Sequence, residues 1–323
     1  MKLTLRRACA VAALIALAGP AQAQTYPTKP IRLIVPFPPG GGSDTMGRII
    51  GQKLGERLGQ QVVVDNRPGA GGSIGADVAA KAPPDGHILL LGSASEIAQY
   101  PNVNPKLPYN PQRDFEPITL VGNVPLLLVV HPSLPVRTVR EVIALARSSP
   151  GKLNFSSAGN GSTTHLAVEL MRLETGIKLS HVPYKGSVPA VTDLVAGNVQ
   201  LGMPTMPAAL PFVRSGRLRA IAISTAKRSP TLADVPTVRE GGVKDYDAVL
   251  WTGVLAPAAT PQPIITRLHG ELAQIVRLED VKEALAKQGA EPVVTTPEQF
   301  SAYIRAEFSK WGKVVKAANV QLD

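Results

Sequence analysis

The feature that most constrains the fold is a glycine-rich turn between an apolar run and a helical pattern, which occurs twice in each half of the chain. The four turns are residues 38–44, 66–73, 156–162 and 184–187. A helix that begins at such a turn has main-chain N–H groups without intrahelical partners and the positive end of the helix dipole. Both attract anions. Four such helix starts, divided between two halves of the chain, predict a cleft for a small carboxylate.

The N-terminal segment has the pattern of an export signal. Three basic residues lie at or before the start of an apolar run, residues 8–19, and the small residues Ala21 and Ala23 mark a cleavage site. The apolar run is shorter than the about 20 residues that a membrane-spanning helix requires. We therefore expect residues 1–23 to be cleaved and the mature chain to begin at Gln24.

Composition excludes several classes of protein. The only cysteine, Cys9, lies in the signal segment, so the exported chain must be held together by its core rather than by disulfides. The net charge is +10, but the basic residues are scattered and only 4% of residues are aromatic, which argues against nucleic-acid binding. A positive surface would raise the encounter rate with small anions. The length of 323 residues suggests two domains.

Apolar runs and helical patterns alternate along both halves. The predicted strands are residues 31–37, 61–65, 87–91, 153–156, 179–182 and 199–203. A serine precedes each of four helical patterns and is predicted to be the N-cap; these serines are Ser43, Ser73, Ser162 and Ser187. Alternation of this kind predicts an α/β fold in which each lobe is a mostly parallel sheet flanked by helices.

Two long apolar strands are predicted to connect the lobes. Residues 124–130 leave the first lobe and residues 249–255 return to it, so the two crossings would form a hinge. Three helices follow and are expected to pack on the first lobe; they are residues 261–276, 279–288 and 297–318. The predicted division is 24–124 plus 251–323 for lobe 1, and 125–250 for lobe 2.

A nucleotide site and a hydrolase site are the rival interpretations of the glycine turns. Gly69, Gly71 and Gly75 are one residue off the Rossmann spacing, and no acidic residue follows where that site requires it. No Gly-Lys-Ser/Thr triplet is present. The chain has no H-E-x-x-H motif, and its histidines show no metal-ligand spacing. We therefore predict no catalytic residue, no metal site and no cofactor.

Four polar or aromatic residues near the turns allow two interpretations each. Asp44 either pairs with Arg48 one turn further on, or receives an ammonium or hydroxyl group of a ligand. His165 either bonds local backbone or contacts the ligand. Lys185 is either a counter-ion or a solvated loop residue. Trp251 fits the core better than the site.

Several motifs are shared, in order, with one known family. They are residues 26–32, 35–44, 66–72, 161–166, 181–186, 234–237, 251 and 256–257. Together they cover essentially the whole mature chain. The sequence resembles the periplasmic substrate-binding proteins of tripartite tricarboxylate transporters, also called the Bug family.

The resemblance implies a two-lobed, Venus-flytrap fold that closes on a small organic acid and delivers it to a membrane permease. It also implies a carboxylate held by loop backbone and bridging waters near the first glycine turn. Carried over by position, the ligand-binding residues are Phe37, Pro39, Gly40 and Asp44 in one lobe, faced by Ser157, Gly161, Ser162, Thr163, Tyr184 and Gly186. The predicted site also includes neighbours in these turns and at strand ends, namely Gly41, Gly71, Ser93 and Thr205.

The sequence thus predicts a monomeric periplasmic solute-binding protein for an organic acid or an amino acid. Its partners would be the permease subunits of a tripartite transporter. Two alternatives remain open at this point. One is a ligand-sensing module for a membrane signalling partner, and the other is a secreted enzyme that acts on an organic acid.

Overall fold

The computed structural model describes residues 26–287 and 289–320. The predicted signal segment, residues 1–23, and the predicted mature start at Gln24 lie outside the described residues. Within the described ranges, no helix combines the length and the apolar character that a membrane crossing requires.

The described residues form eleven strands and ten α-helices. The strands are β1 (Ile31–Val35), β2 (Val62–Asn66), β3 (Ile88–Ser93), β4 (Phe115–Pro125), β5 (Leu127–Val130), β6 (Asn154–Ser157), β7 (Ser180–Pro183), β8 (Leu201–Gly202), β9 (Arg219–Ile223), β10 (Val249–Pro257) and β11 (Glu291–Pro292). The helices are α1 (Gly42–Leu58), α2 (Ser73–Ala80), α3 (Tyr100–Val103), α4 (Val139–Ser148), α5 (Thr163–Thr175), α6 (Ser187–Val195), α7 (Met206–Arg214), α8 (Gln262–Ile275), α9 (Glu279–Lys287) and α10 (Pro297–Ala318).

Each lobe contains a parallel three-stranded unit, as the alternation of strands and helices predicts. In the first lobe, β1 lies between β2 and β3 and is parallel to both, with Leu33 opposite Val64 and Leu89. In the second lobe, β6 lies between β7 and β8 and is parallel to both. The strand ends of these units therefore point the glycine turns toward one edge of each sheet.

Both sheets are mixed rather than mostly parallel, which corrects the prediction. In the six-stranded sheet, ordered β11-β4-β10-β3-β1-β2, strand β10 is antiparallel to β3 and β4. In the five-stranded sheet, ordered β7-β6-β8-β5-β9, strand β5 is antiparallel to β8 and β9. The reason is the connection between the lobes, since β4 leaves the first sheet and β10 enters it from the opposite direction.

The chain crosses between the sheets at two adjacent places. The predicted strand 124–130 is divided at Leu126, where β4 ends and β5 begins. Leu127 N donates to Pro204 O, and on the returning crossing Ala248 N donates to Ser224 O, both at 3.0 Å. Strands of the first sheet come from residues 31–125 and 249–292, and those of the second from 127–223. The finer lobe boundaries given above stay a prediction.

Glycine, not serine, occupies the N-cap of three helices that begin at the turns. The caps are Gly41, Gly72 and Gly186, and the predicted cap serines Ser43, Ser73 and Ser187 lie within the first turn of their helices. Gly72 and Gly186 have φ of 95° and 116°, a region that glycine enters without steric cost. The prediction is confirmed for α5, where the Ser162 side chain accepts from His165 N.

The C-terminal helix α10 has the predicted bounds and contacts both lobes. It begins with a capping box formed by Thr296 and Gln299. Its buried face packs edge-on against Trp251, with ring centroids 5.6 Å apart for Phe300 and 5.9 Å for Tyr303. Trp251 is fully buried, so its interpretation as a core residue is confirmed. The helix also packs against α5 of the second lobe, which corrects the expectation that it packs on the first lobe alone.

Candidate functional site

A cavity of about 190 Å³ lies between the two lobes, where the glycine turns face each other. Seven of the predicted ligand-binding residues line it: Phe37, Pro39, Gly41, Ser162, Thr163, Gly186 and Thr205. Eleven further residues complete the lining: Pro38, Gly42, Ser43, Ser95, Ala158, Thr164, Lys185, Ser187, Val188, Pro189 and Leu250. Most of these adjoin predicted residues in the same turns, so the turns themselves were the signal that locates them.

Helix N-termini from both lobes converge on this cavity. Helices α1, α5 and α6 begin at its lining, and Thr205, the N-cap of α7, is part of it. Main-chain N–H groups of these first turns donate to no acceptor that the described residues supply; they are those of Gly42, Ser43, Thr163, Thr164, Ser187 and Val188. Free N–H groups and aligned helix dipoles favour negative charge.

The charge of the lining has a single sign. Lys185, an exposed residue, is the only charged side chain among the lining residues. In the part of the chain that the structure describes, no carboxylate forms an ion pair with it. The apolar part of the lining includes Phe37, Val188 and Leu250. The cavity therefore suits an anion with an apolar portion.

Thr205 carries a buried hydroxyl without an internal partner. The residue is 3% exposed, and its Oγ1 makes no hydrogen bond although it lies at the cavity. Its backbone forms an isolated bridge with Leu126 at the first crossing between the sheets. An unpaired buried hydroxyl costs free energy, so a polar atom of a ligand would satisfy it.

Asp44 lies behind the first glycine turn rather than in the cavity lining. Its carboxylate accepts from Gly40 N at 2.9 Å and from Asn66 Nδ2 at 3.0 Å, and it pairs with Arg48 at 3.0 Å. Burial alone would raise the pKa of Asp44, but the hydrogen bonds from Arg48, Gly40 and Asn66 outweigh it and lower the pKa. The structural interpretation therefore fits. The N–H of Gly40 donates to Asp44, and a contact of Gly40 with a ligand stays a prediction.

Two predicted residues of the first lobe, Gly71 and Ser93, form hydrogen bonds within that lobe. The Gly71 carbonyl accepts from Ser95 Oγ at 3.0 Å, and Gly71 itself does not reach the cavity lining. Ser93 is fully buried, and its hydroxyl donates to Glu96 at 2.6 Å. Complete burial raises the pKa of Glu96 to about 8 despite the hydrogen bonds that Ser93 donates. Gly71 and Ser93 lie outside the cavity lining, and their contact with a ligand stays a prediction.

Three predicted residues of the second lobe also form hydrogen bonds within their own lobe. Gly161 N donates to His165 Nδ1 at 3.1 Å, and Ser157 Oγ lies 2.6 Å from His181 Nε2. The Tyr184 hydroxyl donates to Asp193 at 2.6 Å; burial and this acid raise the pKa of Tyr184 to about 12. Ser157, Gly161 and Tyr184 therefore hold the turns in place. For His165, the contact with local backbone is the interpretation that fits.

The lobes touch around the cavity. Thr163 Oγ1 donates to Gln99 Oε1 in the first lobe at 2.7 Å. A Cβ built on Gly161 would lie 2.9 Å from the Tyr100 ring, and one on Gly186 would lie 3.8 Å from Pro38. The opposing turns thus meet closely at several points around the cavity.

The described residues do not form a metal site. No group of three or more His, Cys, Asp or Glu side chains among them is placed to hold a metal ion. His165 and His181 are adjacent, but their nitrogens face Gly161, Glu169 and Ser157. The arrangement supplies hydrogen-bond donors and positive potential, which suits binding.

Comparison with known proteins gives a consistent result. The family model described as "Tripartite tricarboxylate transporter family receptor" matches residues 46–320. Protein BugT of Bordetella pertussis is 43% identical over 307 residues, which span 95% of this chain and 94% of BugT. Among solved structures, the R. palustris protein Rpa4515 with adipate has a TM-score of 0.87 at 38% identity, covering 92% of this chain and 99% of that one.

A second solved structure extends the comparison. MatC from Rhodopseudomonas palustris with bound malate has a TM-score of 0.82 at 33% identity, and the match covers 90% of this chain and all of MatC. Both similarities extend over the two lobes, so they include the elements that line the cavity.

Proposed function

Since the chain belongs to the receptors of the tripartite tricarboxylate transporter family, we propose that it captures a small carboxylate-bearing metabolite in the interlobe cavity. The metabolite is an organic acid or an amino acid. After removal of residues 1–23, the protein works in the periplasm as a monomer. It delivers its ligand to the permease subunits of a tripartite transporter.

The observation that carries the proposal is the convergence of free main-chain N–H groups from two lobes. Hydrogen bonds to a charged group contribute roughly 1.5–3 kcal/mol each, and a partly buried helix start adds up to about 2 kcal/mol. Four or five such contacts, reduced by the cost of association, reach the about 8 kcal/mol of micromolar affinity. A buried arginine is therefore not needed to bind the carboxylate.

The residues divide into those that touch the ligand and those that shape the turns. Main-chain N–H groups of α1, α5 and α6 hold the carboxylate, and the Thr205 hydroxyl bonds a further polar atom. Phe37 and Leu250 pack against the carbon skeleton. Lys185, at the exposed rim, adds a positive charge. Behind them, Asp44 and the other internally bonded residues fix the geometry of the donors.

Two related proteins support this assignment of ligand class. Adipate is bound in Rpa4515, and malate is bound in MatC. Each is a small acid. The family is one of receptors rather than enzymes, and the cavity lining holds no general base paired with a nucleophile. Binding without turnover is the function that this lining supports.

The test is a ligand screen by thermal unfolding and calorimetry on the mature chain. The panel holds adipate, malate, citrate, glutamate and benzoate, with 1,6-hexanediol as a control that matches adipate in length but lacks its charges. A ligand at 100 times its Kd adds about 2.7 kcal/mol to the free energy of unfolding, a shift of several degrees. Stabilisation by hexanediol equal to that by adipate, or no response to any acid, would contradict the proposal.

A further inference from the structure

We propose that His165 is a positioning residue through which ligand capture depends on pH. This inference rests on the proposed function, because it concerns how the second lobe presents its donors to the carboxylate. His165 is 5% exposed and lies beneath the turn 157–162. That turn carries Ser162 and Thr163 to the cavity and places Gly161 against Tyr100 of the other lobe.

The neighbours of His165 fix which of its nitrogens carries the proton. Gly161 N donates to Nδ1 at 3.1 Å, so Nδ1 must present a lone pair. Nε2 lies 3.5 Å from Glu169 Oε1, which suits an N–H on that side. The contact with Gly161 requires the neutral ring with its proton on Nε2, and the contact with Glu169 is compatible with that tautomer. A ring that also bears a proton on Nδ1 cannot accept from Gly161.

A second imidazole contacts the same turn. The rings of His165 and His181 are stacked with centroids 3.8 Å apart and planes 5° apart. His181 Nε2 lies 2.6 Å from Ser157 Oγ, and that hydroxyl accepts from Gly159 N at 3.1 Å. Both imidazoles therefore contact this turn. Because like charges repel, two rings this close are disfavoured as a pair of cations.

The surroundings of the pair disfavour a cationic His181. Burial, with the nearby His165 and Arg172, lowers the pKa of His181 to about 3. Glu169 is buried, but its contacts with His165 and Arg172 outweigh burial and lower its pKa. It therefore stays ionised and faces Nε2 of His165, where it stabilises a cationic ring. The charged groups that face the pair are Glu169 and Arg172, both on α5.

The consequence is a linkage between proton and ligand. When solvent supplies a proton to Nδ1 of His165, Gly161 loses its acceptor and the turn must rearrange. The Ser162 cap and the Thr163 N–H then leave the positions that face the carboxylate. Ligand binding, which needs those positions, releases the same proton to solvent. Affinity therefore falls when pH decreases far enough for Nδ1 of His165 to take up this proton.

The test measures Kd by calorimetry from pH 5 to 8, using an acid that binds the wild type, for wild type and His165→Asn. The Asn side-chain oxygen takes nearly the place of Nδ1 and accepts from Gly161, but it does not titrate. We expect similar affinities at pH 8 and a wild-type Kd that rises at low pH, approaching about tenfold per pH unit. In His165→Asn, Kd rises less steeply at low pH, because one proton fewer is linked to binding. His131→Asn, at a loop histidine bonded to Ser133, is the control and follows wild type.

The ligand's own titration is common to all three proteins, so the difference between profiles isolates His165. Superimposable profiles for wild type and His165→Asn would overturn the inference. Failure of every acid to bind at pH 8 would instead overturn the proposed function. If His165→Asn does not fold, NMR titration of the His165 ring in wild type decides. Saturating ligand must move its midpoint to lower pH, and an unchanged midpoint refutes the linkage.

Discussion

Replacing Gly161 by alanine should weaken ligand binding by preventing the lobes from meeting. A Cβ at this position lies 2.9 Å from Tyr100 Cδ2 and 3.2 Å from Val103 Cγ2, across the gap between the lobes. Overpacking of this kind costs typically about 1–3 kcal/mol. At about 1.4 kcal/mol for each factor of ten, the Kd of the closed complex should rise about 5- to 150-fold. Isothermal calorimetry with an acid identified in the ligand screen measures this change directly.

A matched glycine separates closure from backbone strain. Gly161 and Gly176 have φ of 72° and 68°, so alanine is strained at both, by about 1–2 kcal/mol. A Cβ at Gly176, however, has no atom within 4 Å. We expect both variants to lose similar stability in thermal unfolding, and only Gly161→Ala to lose affinity. Equal ligand affinities in the two variants would refute the view that these surfaces meet in the bound state.

Three further predictions concern charged residues. Lys185→Gln should raise Kd up to about fivefold at low salt, with less effect at high salt. The control is Lys178→Gln, which is outside the cavity lining and should leave Kd unchanged. Calorimetry at two ionic strengths measures both variants, and equal effects would contradict the role of Lys185. Asp44→Asn should lower the free energy of unfolding by about 1–3 kcal/mol and weaken binding, because the turn loses its charged acceptor. Urea unfolding checks this against Asp280→Asn, an exposed first-turn acid paired with Lys53; equal losses would argue against it. Folding raises the pKa of Glu96 from 4.5 to about 8. Between these two pH values the folded protein therefore keeps a proton on Glu96 that the unfolded chain has released. Stability of wild type relative to Glu96→Gln should therefore fall as pH rises through that window, by at most about 1.4 kcal/mol per pH unit, and a flat difference would show that Glu96 is ionised when folded.

The strand and helix pattern is predictable where one periodicity dominates. The bounds of α10 follow from its apolar spacing and from the Thr296 cap, and the parallel units follow from alternation. Strand direction at β4 and β10 does not follow, because an apolar run reads the same in either direction. Helix caps are a similar case. In two of the three turns with a glycine cap, Gly72 and Gly186 take a backbone conformation that serine avoids.

The candidate site was predictable as a set of turns but not as a set of contacts. Residues one position apart in a turn point in different directions, so Gly41 reaches the cavity while Gly40 is bonded to Asp44. Leu250 lies at the returning crossing, far in sequence from every turn, and only the antiparallel pairing of β10 with β4 brings it to the lining. No local pattern signals such a contact.

The most direct test of the central claim is a crystal structure of the mature chain with the tightest acid from the screen. We expect carboxylate oxygens within about 2.7–3.2 Å of main-chain nitrogens from both lobes, or joined to them by one bridging water. Ser43, Thr163 and Ser187 are the nitrogens expected. A carboxylate bound outside the cavity, or held by side-chain cations while those nitrogens face bulk solvent, would contradict it.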